Sequence, residues 1–158
     1  METMKLWNSV SKTDPSHTKA VTFGRKFTAI DAMYQIQTAT EQWGSFGAQW
    51  GVRGENFIIN TITPELVLLA YTAEFYYPEG VFPIHSSLTI LSRDKNNNLK
   101  LDDEGYKKVA TDALTKGLSK LGFNADVFLG KFDDNRYVSQ MKEEFSEKPK
   151  QKTEYIDQ

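Results

Sequence analysis

The chain has 158 residues, of which 39% are hydrophobic and 25% charged, with 19 basic against 21 acidic side chains and a formal net charge of -2. That is one domain's worth of chain with enough apolar mass for a single core, and its charge balance excludes both a polybasic tail and an acidic disordered polymer. The absence of cysteine excludes a disulfide scaffold, thiol catalysis and Cys-ligated zinc. The longest apolar run, residues 66–71, is far short of a bilayer span, and residues 1–10 carry no apolar signal core, so a cytoplasmic protein with no membrane partner is expected.

In chain order, the first thirty residues are polar and turn-rich, and positive in balance: Lys5, Lys12, Lys19, Arg25 and Lys26 stand against Glu2 and Asp14. A short helix near residues 5–12 and then a loop are expected. A longer helix should start at Thr28 as N-cap, with Asp31 in its first turn. Ala29, Ile30, Met33, Ile36, Ala39 and Trp43 step at three and four, and Gly44 stops it.

Residues 50–61, 66–77 and 81–91 are rich in β-branched and aromatic side chains, with a tight-turn signal at Pro78-Glu79-Gly80. They predict a three-stranded antiparallel meander followed by a loop over residues 94–99. The next helix is the best-specified element. Asp102 or Asp103 should cap it, and Tyr106, Val109, Ala110, Ala113, Leu114, Gly117, Leu118 and Leu121 recur on one half of its circumference. Ala110, Ala113 and Gly117 make the middle of that stripe small, so the helix can lie close on a sheet, and Gly122 supplies a left-handed stop with Phe123 beside it. A short helix over 124–131 and a longer one over 135–145 should follow. Residues 147–158 cannot bury apolar area and should form a mobile tail.

The fold class expected is therefore α+β: an N-terminal helix, a three-stranded meander, a long helix packed on it and a C-terminal helical extension. It should form a single domain over 1–146 with its core at about 27–132.

Chemistry-bearing groups are few. Only His17 and His85 titrate near neutrality, whereas ten Phe, seven Tyr and three Trp stand out, which favours a binding surface over a reaction centre. Trp43 and Trp50, in a glycine-rich corner, either stack on bases or turn the chain as packing; packing is the simpler reading. No Gly-Lys-Ser/Thr follows the glycines, so no phosphate-binding loop is expected. The Asp94-Lys-Asn-Asn-Asn98 run lacks calcium-loop spacing and reads as a turn. On the long helix, Lys108, Thr115 and Ser119 sit mid-polar face, with Lys116 and Lys120 on one flank of the apolar stripe and Lys107 on the other. These lysines form either a phosphate-tracking ridge or an ordinary solvated face. A small enzyme using His85 with Glu74 or Asp112, and an adaptor acting through residues 135–158, are the competing readings.

Three segments resemble the Rad-fifty-two-like superfamily of single-strand annealing proteins, and most closely its short phage-encoded (Sak-type) members. They are residues 34–44 (YQIQTATEQWG) with Trp50-Gly51-Val52, the meander, and residues 107–122 (KKVATDALTKGLSKLG), which are similar to a long helix containing Thr-Asp-(Gly/Ala)-Leu. The resemblance implies a β-β-β-α unit assembled into rings or helical filaments. Such assemblies bind single-stranded DNA in a positive groove and anneal complementary strands without nucleotide hydrolysis, in recombination and repair. It implies no catalytic residues, metal or cofactor. A single-strand-binding protein is a further candidate partner, and host cytoplasm the location of a phage-encoded copy. The family's two adjacent basic groups fall on Thr115 and Lys116, its next arginine on Ser119 beside Lys120, and a first-helix arginine on Tyr34. Only Lys116 keeps its charge, so Arg25, Lys26, Arg53, Lys107, Lys108 and Lys120 become the candidate substitutes. With the resemblance included, the ridge reading of the lysines is preferred.

Overall fold

The computed structural model describes residues 2–22, 24 and 27–147. Its elements in order are α1 (Lys5–Val10), β1 (Thr18–Val21), β2 (Phe27–Ile30), α2 (Ala32–Trp43), β3 (Gly51–Thr63), β4 (Leu66–Tyr77), β5 (Gly80–Arg93), β6 (Leu99–Leu101), α3 (Gly105–Lys120), α4 (Ala125–Phe128) and α5 (Asn135–Glu147). They form two compact units, one from residues 32–123 and one from the two ends of the chain. The fold class is α+β.

In the central unit the sheet order is β3-β4-β5-β6, antiparallel throughout. Alternation along β4 sets its layers: Leu69, Tyr71, Ala73 and Phe75 are buried, while Thr72 and Glu74 are exposed. The buried set meets α3, which lies across β4 and β5. Small residues permit that seat. A Cβ on Gly105 would come within 2.6 Å of Ile90 Cγ2, and one on Gly117 within 2.9 Å of Ile84 Cγ2. The helix ends in the expected glycine stop. Gly122 adopts φ 103°, its N–H donates to Ser119 O, and the Phe123 N–H donates to Leu118 O, so the last carbonyls are satisfied. Phe123 itself is fully buried against Trp43, with ring centroids 5.2 Å apart.

The structure departs from the sequence expectations in three places. The sheet has four strands rather than three, because β6 pairs with the end of β5 (Leu91 with Leu101, Arg93 with Leu99). The Asn-rich loop turns tightly enough for this return: Asp94 Oδ1 accepts from the Asn96 and Asn98 N–H groups, and Asn97 takes φ 63°. The first long helix begins at Ala32, not Thr28; residues 27–30 instead pair antiparallel with residues 18–21, the Phe-Thr-Ala-Ile run following its β preference. Finally, α3 begins at Gly105 with Glu104 as an N-cap that makes no side-chain cap bond. Asp102 spends its carboxylate on the Glu104 N–H and on Lys108.

The terminal unit holds α1, the β1–β2 hairpin, α4 and α5 around a polar knot. Asp126, 2% exposed, accepts four hydrogen bonds, from the Thr13 N–H (2.8 Å), the Thr13 hydroxyl (2.6 Å), the Val127 N–H (2.8 Å) and the Tyr137 hydroxyl (2.8 Å). Asn124, in the left-handed region, donates from Nδ2 to Thr13 Oγ1 and from its N–H to Val10 O. The expected tail lies, beyond Glu147, outside the described residues. Among the described residues no helix is long and apolar enough to cross a membrane.

Gly117→Leu should destabilise the protein by about 1–3 kcal/mol through overpacking against Ile84 and Phe75, read as a lower urea midpoint. A neutral result would contradict the close seat of α3 on the sheet.

Candidate nucleic-acid interface

Helix α3 places its lysines as the wheel requires: Lys107, Lys108, Lys116 and Lys120 are all exposed. Two of them have carboxylate partners. Lys108 Nζ lies 2.7 Å from Asp102 Oδ2, and Lys116 Nζ lies 2.9 Å from Asp112 Oδ2 one helical turn earlier. The hydrogen bond to Lys108 holds Asp102 below the usual carboxylate range, and the same bond raises Lys108. For Asp112, burial pushes the carboxyl up, but the Ser86 hydroxyl at 2.6 Å and Lys116 outweigh it and the net direction is down. Thr115 is half-buried and its hydroxyl donates to Asp112 O at 3.0 Å, while the Ser119 hydroxyl donates to Thr115 O at 2.7 Å. Both hydroxyls therefore serve the helix backbone.

Of the eight basic residues in 32–123, five sit in ion pairs, leaving Lys95, Lys107 and Lys120 without one among the described residues. Exposed pairs of this kind are worth about 0–1 kcal/mol. A phosphate can therefore compete for Lys108 and Lys116, but it would then sit beside the displaced carboxylate.

Arg53 is placed apart from these lysines. It pairs across the strands with Glu74 at 3.4 Å, its guanidinium 5.7 Å from the Tyr76 ring centre. Glu74 points away from the α3 side of the sheet, and Arg53 with it. A bulge explains the placement. Arg53 opposes Glu74 and Asn56 opposes Thr72, so β3 carries one extra residue there, with Gly54 at φ 65°. The extra residue inverts the alternation, and Phe57 and Ile59 beyond it face the helix side. Tyr34 lies half-buried on α2. Arg25 and Lys26 lie outside the described residues.

The glycine-rich corner is packing. Trp50 is fully buried and its indole N–H donates to Gly44 O at 2.7 Å, while Trp43 contacts Trp50, Phe75, Tyr77 and Phe123. Phe46, edge-on to Trp50, is the exposed ring of this corner. A ring cluster that the sequence did not suggest joins Phe57 to Tyr71 and to Tyr106, each 4.9 Å away. Its only sequence signal was the aromatic content of three separate segments. His85 and Asp112 lie on opposite sides of the sheet, since Asp112 bonds Ser86 on the helix side and His85 opposes the exposed Thr72. They cannot form the Asp112 version of the dyad that the enzyme reading invoked, whereas Glu74, opposite Pro83, lies on the same side of the sheet as His85. Among the described residues no group of three or more His, Asp or Glu side chains could hold a metal ion.

No protein-family model matches the chain, and no curated protein matches it.

Two phenols should resist ionisation. Burial, and then a hydrogen bond to a carboxylate, raises Tyr71 (donating to Glu55 at 2.7 Å) and Tyr137 (donating to Asp126) well above the ordinary value of 10.0. The folded state then holds protons that the unfolded state releases, so stability falls as pH rises above about 10. A spectrophotometric titration should show two tyrosines ionising only on unfolding; seven that titrate together in the folded protein would contradict these bonds.

Proposed function

We propose that this protein binds single-stranded DNA and anneals complementary strands without nucleotide hydrolysis, as a homo-oligomeric ring or filament of the Rad-fifty-two-like type, serving recombination and repair. The observation that carries the reading is the sheet-then-helix order of the central unit. Three long antiparallel strands are followed by a helix that lies across β4 and β5 and keeps four lysines on its outer surface. That arrangement agrees with the β-β-β-α unit that the resemblance implies.

Physical chemistry supplies a mechanism from these parts. Lys107 and Lys120, with Lys108 and Lys116 released from their acids, would hold the phosphates of one strand and leave its bases free for a complement. Annealing then is acceleration by proximity and alignment, with no proton transfer or covalent step. Two to four cations per copy give weak binding alone, and repetition along an assembly multiplies it. A short phage-encoded protein of this kind works in the host cytoplasm, and a single-strand-binding protein is a fitting partner.

The test is an annealing assay with labelled complementary oligonucleotides, without ATP, across a salt series. Acceleration that falls with salt is expected; no acceleration at any salt by folded protein would overturn the reading. Lys116→Ala with Lys120→Ala should weaken single-strand binding several-fold and flatten the log–log salt slope by about 0.7 for each phosphate no longer neutralised. Asp112→Asn should strengthen binding by freeing Lys116 of its partner. Unchanged affinity in both variants would remove this helix face from the interface.

A further inference from the structure

The two edges of the four-stranded sheet are unequally protected. At the β5 edge, β6 covers Leu91–Arg93, the Asp102 N–H extends the pairing to Ile90 O, Pro83 lacks a donor, and α3 lies over the strand. These are the devices that keep an edge from pairing with another chain. At the β3 edge no strand or helix covers residues 56–61 among the described residues, and the two irregularities of β3, at Arg53–Asn56 and Thr61–Thr63, lie at the ends of that stretch. Arg53 and Glu55 stand at one end, and from residue 56 to residue 64 the sequence NFIINTITP has no charge. Ile58 is 46% exposed, Ile59 55% and Ile62 52%, on a strand whose second edge has no partner strand among the described residues. The unpaired backbone of such an edge is satisfied by another strand, so the occupant must be extended chain.

The strand is its own complement. Phe57 and Ile59 face the helix side, opposite Tyr71 and Leu69, and Ile58 faces the other side, opposite Ala70. In an antiparallel pair of β3 strands, only an even register keeps helix-side residues together. With the axis at Ile58, Phe57 stands opposite Ile59 twice, Ile58 stands opposite itself, Asn56 opposes Asn60 and Glu55 opposes Thr61. Apolar meets apolar, amide meets amide, and no like charges face each other. Moving the axis to Ile59 would set Ile58 against Asn60 and Phe57 against Thr61, and forfeit that match. Helix α3 lies over β4 and β5, so it does not obstruct the approach.

We propose that two copies of this chain pair antiparallel through their β3 edges about a two-fold axis at Ile58, joining two four-stranded sheets into one of eight strands. The pairing rests on the annealing reading for its biological role and adds to it a two-fold dimer as the building block; a two-fold contact closes on itself, so a ring or filament of such dimers uses a second, separate contact. The pairing itself is independent of DNA.

The test uses the full chain without DNA. Light scattering should give twice the 18.0 kDa mass of one chain, or a multiple of that dimer. Ile58→Glu and Ile58→Lys should each lower it to one chain or halve the assembly, with the circular-dichroism spectrum unchanged because Ile58 is exposed, and an equimolar mixture should restore it. The chain has no cysteine, so Ile58→Cys places a single thiol on the axis. Directly opposed Cα atoms lie about 4.5–5.5 Å apart, within disulfide reach. Mild oxidation should give a covalent dimer with Ile58→Cys and none with Ser87→Cys on β5. A monomeric wild type, an assembly that Ile58→Glu leaves intact, or cross-linking at Ser87 instead would overturn the pairing. Absence of annealing alone, with the dimer and its cross-link retained, would overturn the annealing reading and leave the pairing standing.

Discussion

The close seat of α3 on β4 and β5 decides where everything else in the central unit can go. Gly105 and Gly117 bring the helix backbone to the side chains of Ile90 and Ile84 without a Cβ between them, and Ala113 is fully buried in the same contact. Burying side chains such as Leu69, Phe75, Val109 and Leu118 contributes roughly 1.5–3 kcal/mol each. A helix is about 10–12 Å wide with its side chains, whereas neighbouring strands are about 4.8 Å apart, so one helix covers about two strands. Here those are β4 and β5. Strand β3 is left to its own ring contacts, Phe57 on Tyr71 and Tyr106, and its edge stays open as a consequence of the helix's position.

The terminal unit is held differently. Its centre is the Asp126 carboxyl group, buried with no ion-pair partner among the described residues and satisfied by four hydrogen bonds from Thr13, Val127 and Tyr137. Residues 13 and 126 are 113 positions apart, so this knot ties the N-terminal segment to the segment that follows the central unit. Such a site is intolerant of partial disruption. Removing one donor leaves a buried carboxyl group less satisfied, at a cost of about 1–3 kcal/mol. That tie belongs to stability, and neither Thr13 nor Asp126 carried any sequence signal for it, because their pairing is long-range.

What could be read from the sequence follows the length of each pattern. Helix α3 was legible to its last turn because eight apolar positions repeat and Gly122-Phe123 close it, and β4 and β5 because their alternation runs for a dozen residues. Strand β6 was not, since three residues with exposed Leu99 and Leu101 carry no periodicity. Strand β2 was misread because Thr28 with Asp31 imitates a helix start, and only its partner at residues 18–21 decides otherwise. In the candidate site, Asp112 opposing Lys116 was visible as an i,i+4 pair, but Asp102 beside Lys108 required the fold. The side of the sheet that Arg53 takes was not legible in the sequence, because plain alternation takes no account of the bulge at Gly54–Glu55.

The same bulge bears on how the two proposed surfaces divide the sheet. Before it, β3 puts Arg53 on the open side, where Glu74 and the Tyr76 ring engage it. After it, β3 puts Phe57 and Ile59 on the helix side and Ile58 with polar Asn56 and Asn60 on the open side, as far as a second register shift at Thr61–Thr63. Charge and apolar surface are therefore separated along one strand, the charged end near Gly51 and the apolar end near Thr63. An apolar edge of this kind tolerates a partner strand because residues 56–60 carry no charge to desolvate, and desolvating an unpaired charge costs several kcal/mol. The lysines of α3, meanwhile, stand on the helix exterior, where a polyanion meets them without displacing any apolar contact. Electrostatic binding and self-pairing thus draw on separate residues, and neither needs the other's surface.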